Sequence, residues 1–198
     1  MSDAFEGLVR LLMERRGYWM RGSFKVELTR EEKRGIDESK SSIPRPEIDL
    51  LAFDASKNQI IVLECKSYLD SPGVRLEDLA AEHEIPSGRY KLFTCEKYRE
   101  VVFARLRMQI AEERAASAGA GPMVDKVPEF VLGLAAGKTH RKGSEAKIRS
   151  FMASKGWYFF GPSAIARETR ALASRGYEND PYFIAAKMLM RSQDVGEG

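Results

Sequence analysis

Two apolar runs set side by side constrain this chain more than anything else in it. Arg45-Pro46-Glu47-Ile48-Asp49-Leu50-Leu51-Ala52-Phe53-Asp54 leads through a short turn at Ser56-Lys57-Asn58 into Gln59-Ile60-Ile61-Val62-Leu63-Glu64-Cys65-Lys66. Apolar runs of this length, bounded by turn residues, read as two strands of one hairpin. Each carries charge where a buried strand should have none: Asp49 inside the first, Glu64 and Lys66 at the end of the second. Glu64 and Lys66 are separated by one residue, so both point to the same side of their strand. An unpaired buried carboxylate is costly. Lys66 can neutralise one carboxylate, which leaves a negative excess that a divalent cation would balance.

The rest of the composition says what kind of cation and what kind of protein. Two cysteines, Cys65 and Cys95, and two histidines, His83 and His140, make neither a disulfide framework nor a zinc site. A metal centre here is therefore oxygen-based, which favours Mg²⁺ or Mn²⁺. With 198 residues the chain suffices for one α/β domain. That domain is expected over residues 1–191, with a disordered tail from Ser192. No apolar run is long enough to span a bilayer and no signal-peptide pattern opens the chain, so the expectation is a cytoplasmic protein without membrane contact.

Net charge is only +3, but it is unevenly spread. Residues 10–34 hold eight Lys/Arg against four Glu, and residues 138–149 hold five against one. In the second patch Lys138, His140, Arg141 and Lys142 form a loop suited to gripping a phosphate backbone. Gly137-Lys138-Thr139 imitates a phosphate-binding loop, yet the glycine that pattern needs at position 132 is Leu132, so no nucleotide cofactor is expected.

Along the chain the periodicity predicts a helix over 3–16, a strand over 23–28, a long mobile loop from Thr29 to Arg45, the two motif strands, and helices over 75–84 and 89–116. A linker over 117–126 follows, then a strand over 127–134, a helix over 144–155, a short strand at 157–160 and helices from Pro162 and Pro181. Three strands in meander followed by a helical crossover give a mixed sheet sandwiched by helices. Glu6 lies at the flank of the first helix's apolar face, where the macrodipole also favours a glutamate. Gln109 lies at the edge of the stripe Tyr98, Val102, Leu106 and Ile110, where satisfaction by backbone is its commonest role.

Asp49 followed by Glu64-x-Lys66 at the end of the next strand resembles the PD-(D/E)XK nuclease superfamily. The wording Glu47-Ile48-Asp49-Leu50-Leu51-Ala52 and Val62-Leu63-Glu64-Cys65-Lys66 looks most like its Holliday-junction-resolvase-like and restriction-endonuclease-like members. Glu47 and Ile48 stand between Pro46 and Asp49, which makes Glu47 a rival ligand, and Cys65 takes a place more often apolar. The resemblance implies an α/β fold with a restriction-endonuclease-like mixed central sheet flanked by helices, an αβββαβ core. It implies a metal-dependent DNA endonuclease in which Asp49, Glu64 and the Cys65 carbonyl hold Mg²⁺ or Mn²⁺. Lys66 would assist the attacking water, and Glu6 on the first helix would approach the metal. DNA is the implied substrate and a homodimer the implied assembly. A catalytically idle nucleic-acid-binding module on the same fold is the alternative.

Overall fold

In a computed structural model, residues 3–38, 45–117, 127–176 and 178–194 are described. In chain order the elements are α1 (Ala4–Arg15), β1 (Trp19–Lys25), α2 (Arg30–Ile36), β2 (Glu47–Asp54), β3 (Gln59–Lys66), α3 (Leu76–Ala80), α4 (Lys91–Thr94), α5 (Glu96–Ser117), β4 (Glu129–Ala136), α6 (Ser144–Ser154), β5 (Tyr158–Phe160), α7 (Pro162–Ala173) and α8 (Pro181–Asp194). The strands form one five-stranded sheet in the order β1-β2-β3-β4-β5. The first three run antiparallel, while β4 is parallel to β3 and β5 to β4. Asp54 builds the β2–β3 turn: its Oδ1 accepts the Ser56 hydroxyl at 2.6 Å and the Ser56 N–H at 3.0 Å.

Alternation along β3 divides the molecule into two cores. Ile60 and Val62 face one side, where Leu79, Phe93, Tyr98, Val102, Leu106, Ile148 and Met152 cover the sheet. Ile61, Leu63 and Cys65 face the other, under Phe5, Val9, Leu12 and Met13 of α1, Ile165 and Leu172 of α7 and Phe183 of α8. A mixed α/β sheet with helices on both faces is thus the observed architecture. No helix among the described residues is long and apolar enough to cross a membrane.

Several boundaries differ from the sequence expectation. The first strand begins at Trp19 rather than Ser23, because Trp19 pairs with Phe53 across the sheet and their rings meet edge to face at 6.3 Å. The expected loop after it contains α2, stabilised by a capping box between Thr29 and Glu32 and by the Glu32–Arg105 ion pair at 2.8 Å. Within that expected loop, residues 39–44 lie outside the described residues. The helix foreseen over 89–116 breaks at Cys95, which is extended (φ −121°, ψ 105°) and buried. Arg99 satisfies the freed carbonyls of Leu92 and Phe93, at 3.1 and 3.4 Å. The helix foreseen over 75–84 stops at Ala80. Helix α8 continues to Asp194, past the expected start of the tail, and residues 195–198 lie outside the described set, as do residues 118–126 of the expected linker.

Candidate active site

The β2–β3 ladder is paired from Asp54↔Gln59 to Leu50↔Leu63. On either side the pairing continues further, to Lys25↔Glu47 between β1 and β2 and to Lys66↔Ala136 between β3 and β4. The two motif strands therefore part at Asp49, and the carboxylate enters the gap. The Cys65 N–H donates to Asp49 Oδ2 at 2.7 Å, standing in for the missing ladder bond. The Lys66 carbonyl accepts the Gly137 N–H on the β4 side. By strand alternation the Cys65 N–H and carbonyl both face the β2 side, toward Asp49.

Asp49, Glu64 and Lys66 line one cleft of about 300 Å³ together with Glu47, Asp37, Arg45, Arg89, Lys91 and Tyr98. Lys66 Nζ lies 3.2 Å from Glu64 Oε2, and both side chains are largely buried, 21% and 14% exposed. Burial pushes the Glu64 carboxyl up; the Lys66 charge pulls it back and Asp49 raises it again, for a net upward shift. Burial would lower the Lys66 ammonium, but the Glu64 and Asp49 carboxylates outweigh it and the net shift is upward. Lys66 is thus held in its charged form. Tyr98, on the α5 wall, is pushed up to about 12 by burial and then by the negative charge of Glu64, and stays neutral.

The remaining expected residues fall around this cleft rather than in it. Glu6 closes the α1 capping box, its Oε2 accepting the Asp3 N–H at 3.3 Å. It lies near the Cys65 thiol, which burial and then the Asp49 and Glu6 charges hold protonated. Cys65 fills space under α1, as a small strand residue would. Gln109 is taken up by backbone: its Oε1 accepts the Glu27 N–H at 2.9 Å and its Nε2 donates to the Lys25 carbonyl at 3.3 Å.

The basic loop after β4 is pinned to the loop after β3. Val74 bridges Thr139, Lys138 Nζ donates to the Leu69 carbonyl at 3.3 Å, and His140 Nδ1 sits 3.3 Å from the Pro72 carbonyl. Gly73 is required at this clip, since its φ is +91° and a Cβ there would stand 2.7 Å from the Thr139 carbonyl carbon. Arg141 and Lys142 remain exposed at the same end of the sheet as the cleft.

Asp37, Arg89 and Lys91 escaped sequence reading. Asp37 ends a helix hidden in what looked like a polar loop, and Arg89-Tyr90-Lys91 looked like the start of a helix. Pro86 and Gly88, turn signals just before Arg89 and Lys91, hinted at that wall of the cleft.

Oxygen donors from Asp49, Glu64 and the Cys65 carbonyl suit a hard divalent cation. Among the described residues no three His, Cys, Asp or Glu side chains converge as a ligand group, so the Glu6 side chain does not complete one. Fold and cleft together define an α/β protein with a two-carboxylate, one-lysine site where two central strands part. Comparison with protein-family models, with curated proteins and with solved structures found no match to this chain.

Proposed function

We propose that this chain is a metal-dependent endonuclease of the PD-(D/E)XK type, with a restriction-endonuclease-like fold, that hydrolyses phosphodiester bonds in DNA. The observation that carries this reading is the parting of β2 and β3 at Asp49, which brings Asp49, the Cys65 backbone, Glu64 and Lys66 to one cleft. Asp49, Glu64 and the Cys65 carbonyl would hold Mg²⁺ or Mn²⁺. A cation bound there supplies Lewis-acid activation of water and phosphate. Lys66, kept charged by the two carboxylates, orients the water and stabilises negative charge developing on the phosphate. Asp49 is oriented by the Cys65 N–H before substrate arrives, so little reorganisation is needed. Arg141 and Lys142 extend a basic surface along the same sheet end for a longer stretch of DNA backbone. Ile184, Met188 and Leu189 on α8, 36%, 68% and 67% exposed, are the face on which a homodimer would form.

The test is incubation with Mg²⁺ or Mn²⁺ and labelled single-stranded, duplex, flap and four-way-junction DNA, beside Asp49→Ala and Lys66→Ala. Cleavage by the wild type that both variants lose supports the assignment. The Glu64–Lys66 ion pair at 3.2 Å favours a second reading, an idle nucleic-acid-binding module whose charges only neutralise one another. In that case calorimetry would detect no Mn²⁺ binding and no DNA would be cut.

A further inference from the structure

The two walls of the cleft differ in how their charges are balanced. On the sheet wall, Arg45 is paired with Glu27 at 3.0 Å and Lys66 with Glu64 at 3.2 Å. The facing wall, Pro86 to Leu92, contributes Arg89 and Lys91. Among the described residues neither has a carboxylate within ion-pair distance. Asp37, Glu47, Asp49 and Glu64 line the same cleft, so an approaching phosphodiester meets four carboxyl groups. Cations already paired with carboxylates do little to hold it there. Among the described residues that line the cleft, Lys91 and Arg89 are the cations left to do so.

Arg89 is also braced. Its guanidinium lies by the Tyr68 ring, 5.8 Å from the centroid. Tyr68 follows Lys66 by two residues and is held at φ +47°, a left-handed conformation that is strained for a non-glycine residue. Such strain persists where surrounding structure imposes it, and it clusters at functional sites. Lys91 lines the same cleft as Glu64 and Lys66.

We propose that Lys91 and Arg89 form the substrate-phosphate arm of the cleft, Lys91 contacting the phosphate under attack and Arg89 a neighbouring phosphate of the same strand. This deepens the endonuclease reading and rests on it. The substrate class that follows is a nucleic-acid strand gripped by its backbone, with binding indifferent to base sequence.

The test reads binding, apart from cleavage. Anisotropy of fluorescein-labelled single-stranded and duplex DNA is measured in EDTA over a salt series for the wild type, Lys91→Met and Arg89→Met, with Lys91→Arg and Arg89→Lys as conservative partners. Both side chains are exposed, so thermal melts should match the wild type. Each methionine variant should weaken binding several-fold, equally for unrelated sequences. Each should also flatten the log–log salt slope by roughly 0.7–0.9, the loss of one phosphate contact, and the conservative variants should restore it. Wild-type affinity and slope in both methionine variants, with the wild type binding DNA and cutting it in Mg²⁺, would overturn the arm and leave the endonuclease reading standing. A wild type that neither binds nor cuts DNA would overturn both.

Discussion

Asp49 shows how one side chain serves structure and chemistry together. Its carboxylate replaces a ladder bond by accepting the Cys65 N–H at 2.7 Å, and it faces the cleft that holds Glu64 and Lys66. Removing the acceptor strands a part-buried donor, which costs about 1–3 kcal/mol. Asp49→Ala should therefore lose stability of that order in urea unfolding. Asp49→Asn keeps an acceptor oxygen and should lose clearly less, yet Mn²⁺ binding by calorimetry should weaken in both. Equal destabilisation by the two would show that the hydrogen bond does not hold the gap. Asp49, Glu64 and Lys66 were legible because charge inside an apolar run stands out against its neighbours. Lys91 and Arg89 were not legible, since an exposed cation in a short connection looks like any solvated residue until the fold shows what it faces.

At the scale of elements, α2 is the instructive case. Its sequence, dense in Lys, Arg and Glu, lacks an apolar stripe, and local composition argues for a loop. The helix holds because Thr29 and Glu32 cap it and Arg105 of α5 reaches Glu32 at 2.8 Å. Partial burial pushes the Glu32 carboxyl up, but hydrogen bonds from Arg105 and Thr29 outweigh that and leave it below the ordinary value of 4.5. A carboxyl lowered by folding adds stability above its unfolded pKa, and that stability is lost as pH falls through the folded value. Glu32→Gln should thus cost about 1 kcal/mol at neutral pH, with the penalty fading below pH 4.5. Urea midpoints of the two proteins at neutral and acidic pH would check this. A penalty that did not change with pH would mean that packing, and not charge, anchors α2. The break at Cys95 has the same kind of origin. Arg99 satisfies the Leu92 and Phe93 carbonyls through space, and no periodicity encodes that.

At the scale of the whole molecule, the two ends of the described chain meet on one face of the sheet. Phe5, Val9, Leu12 and Met13 of α1 share a core with Phe183 and Ala186 of α8, and the Tyr182 hydroxyl donates to the Ala4 carbonyl at 2.7 Å. Phe183 is fully buried, so Phe183→Ala should cost about 3–5 kcal/mol by chemical denaturation. A cost below about 1 kcal/mol would mean that α8 docks weakly and its loss barely touches the core. Apart from α2 and the break between α4 and α5, the order of the five strands and of the helices between them was legible, because helical and strand periods differ and apolar runs bounded by turns mark buried strands. That both termini close the same face was not, since sequence spacing carries no information about which side of a sheet a helix returns to.

What the sequence by itself determined was the list of strands, the hairpin at their centre and the three charged residues placed within it, because local periodicity and the high cost of burying charge are properties of short segments. Only the tertiary structure decided that β2 and β3 part at Asp49, that Glu6 and Gln109 are occupied elsewhere, and that Asp37, Arg89 and Lys91 complete the cleft. Those outcomes depend on which backbone groups find partners across the sheet and which loops pack together. Such pairings join residues far apart along the chain, and only the folded chain brings them into contact.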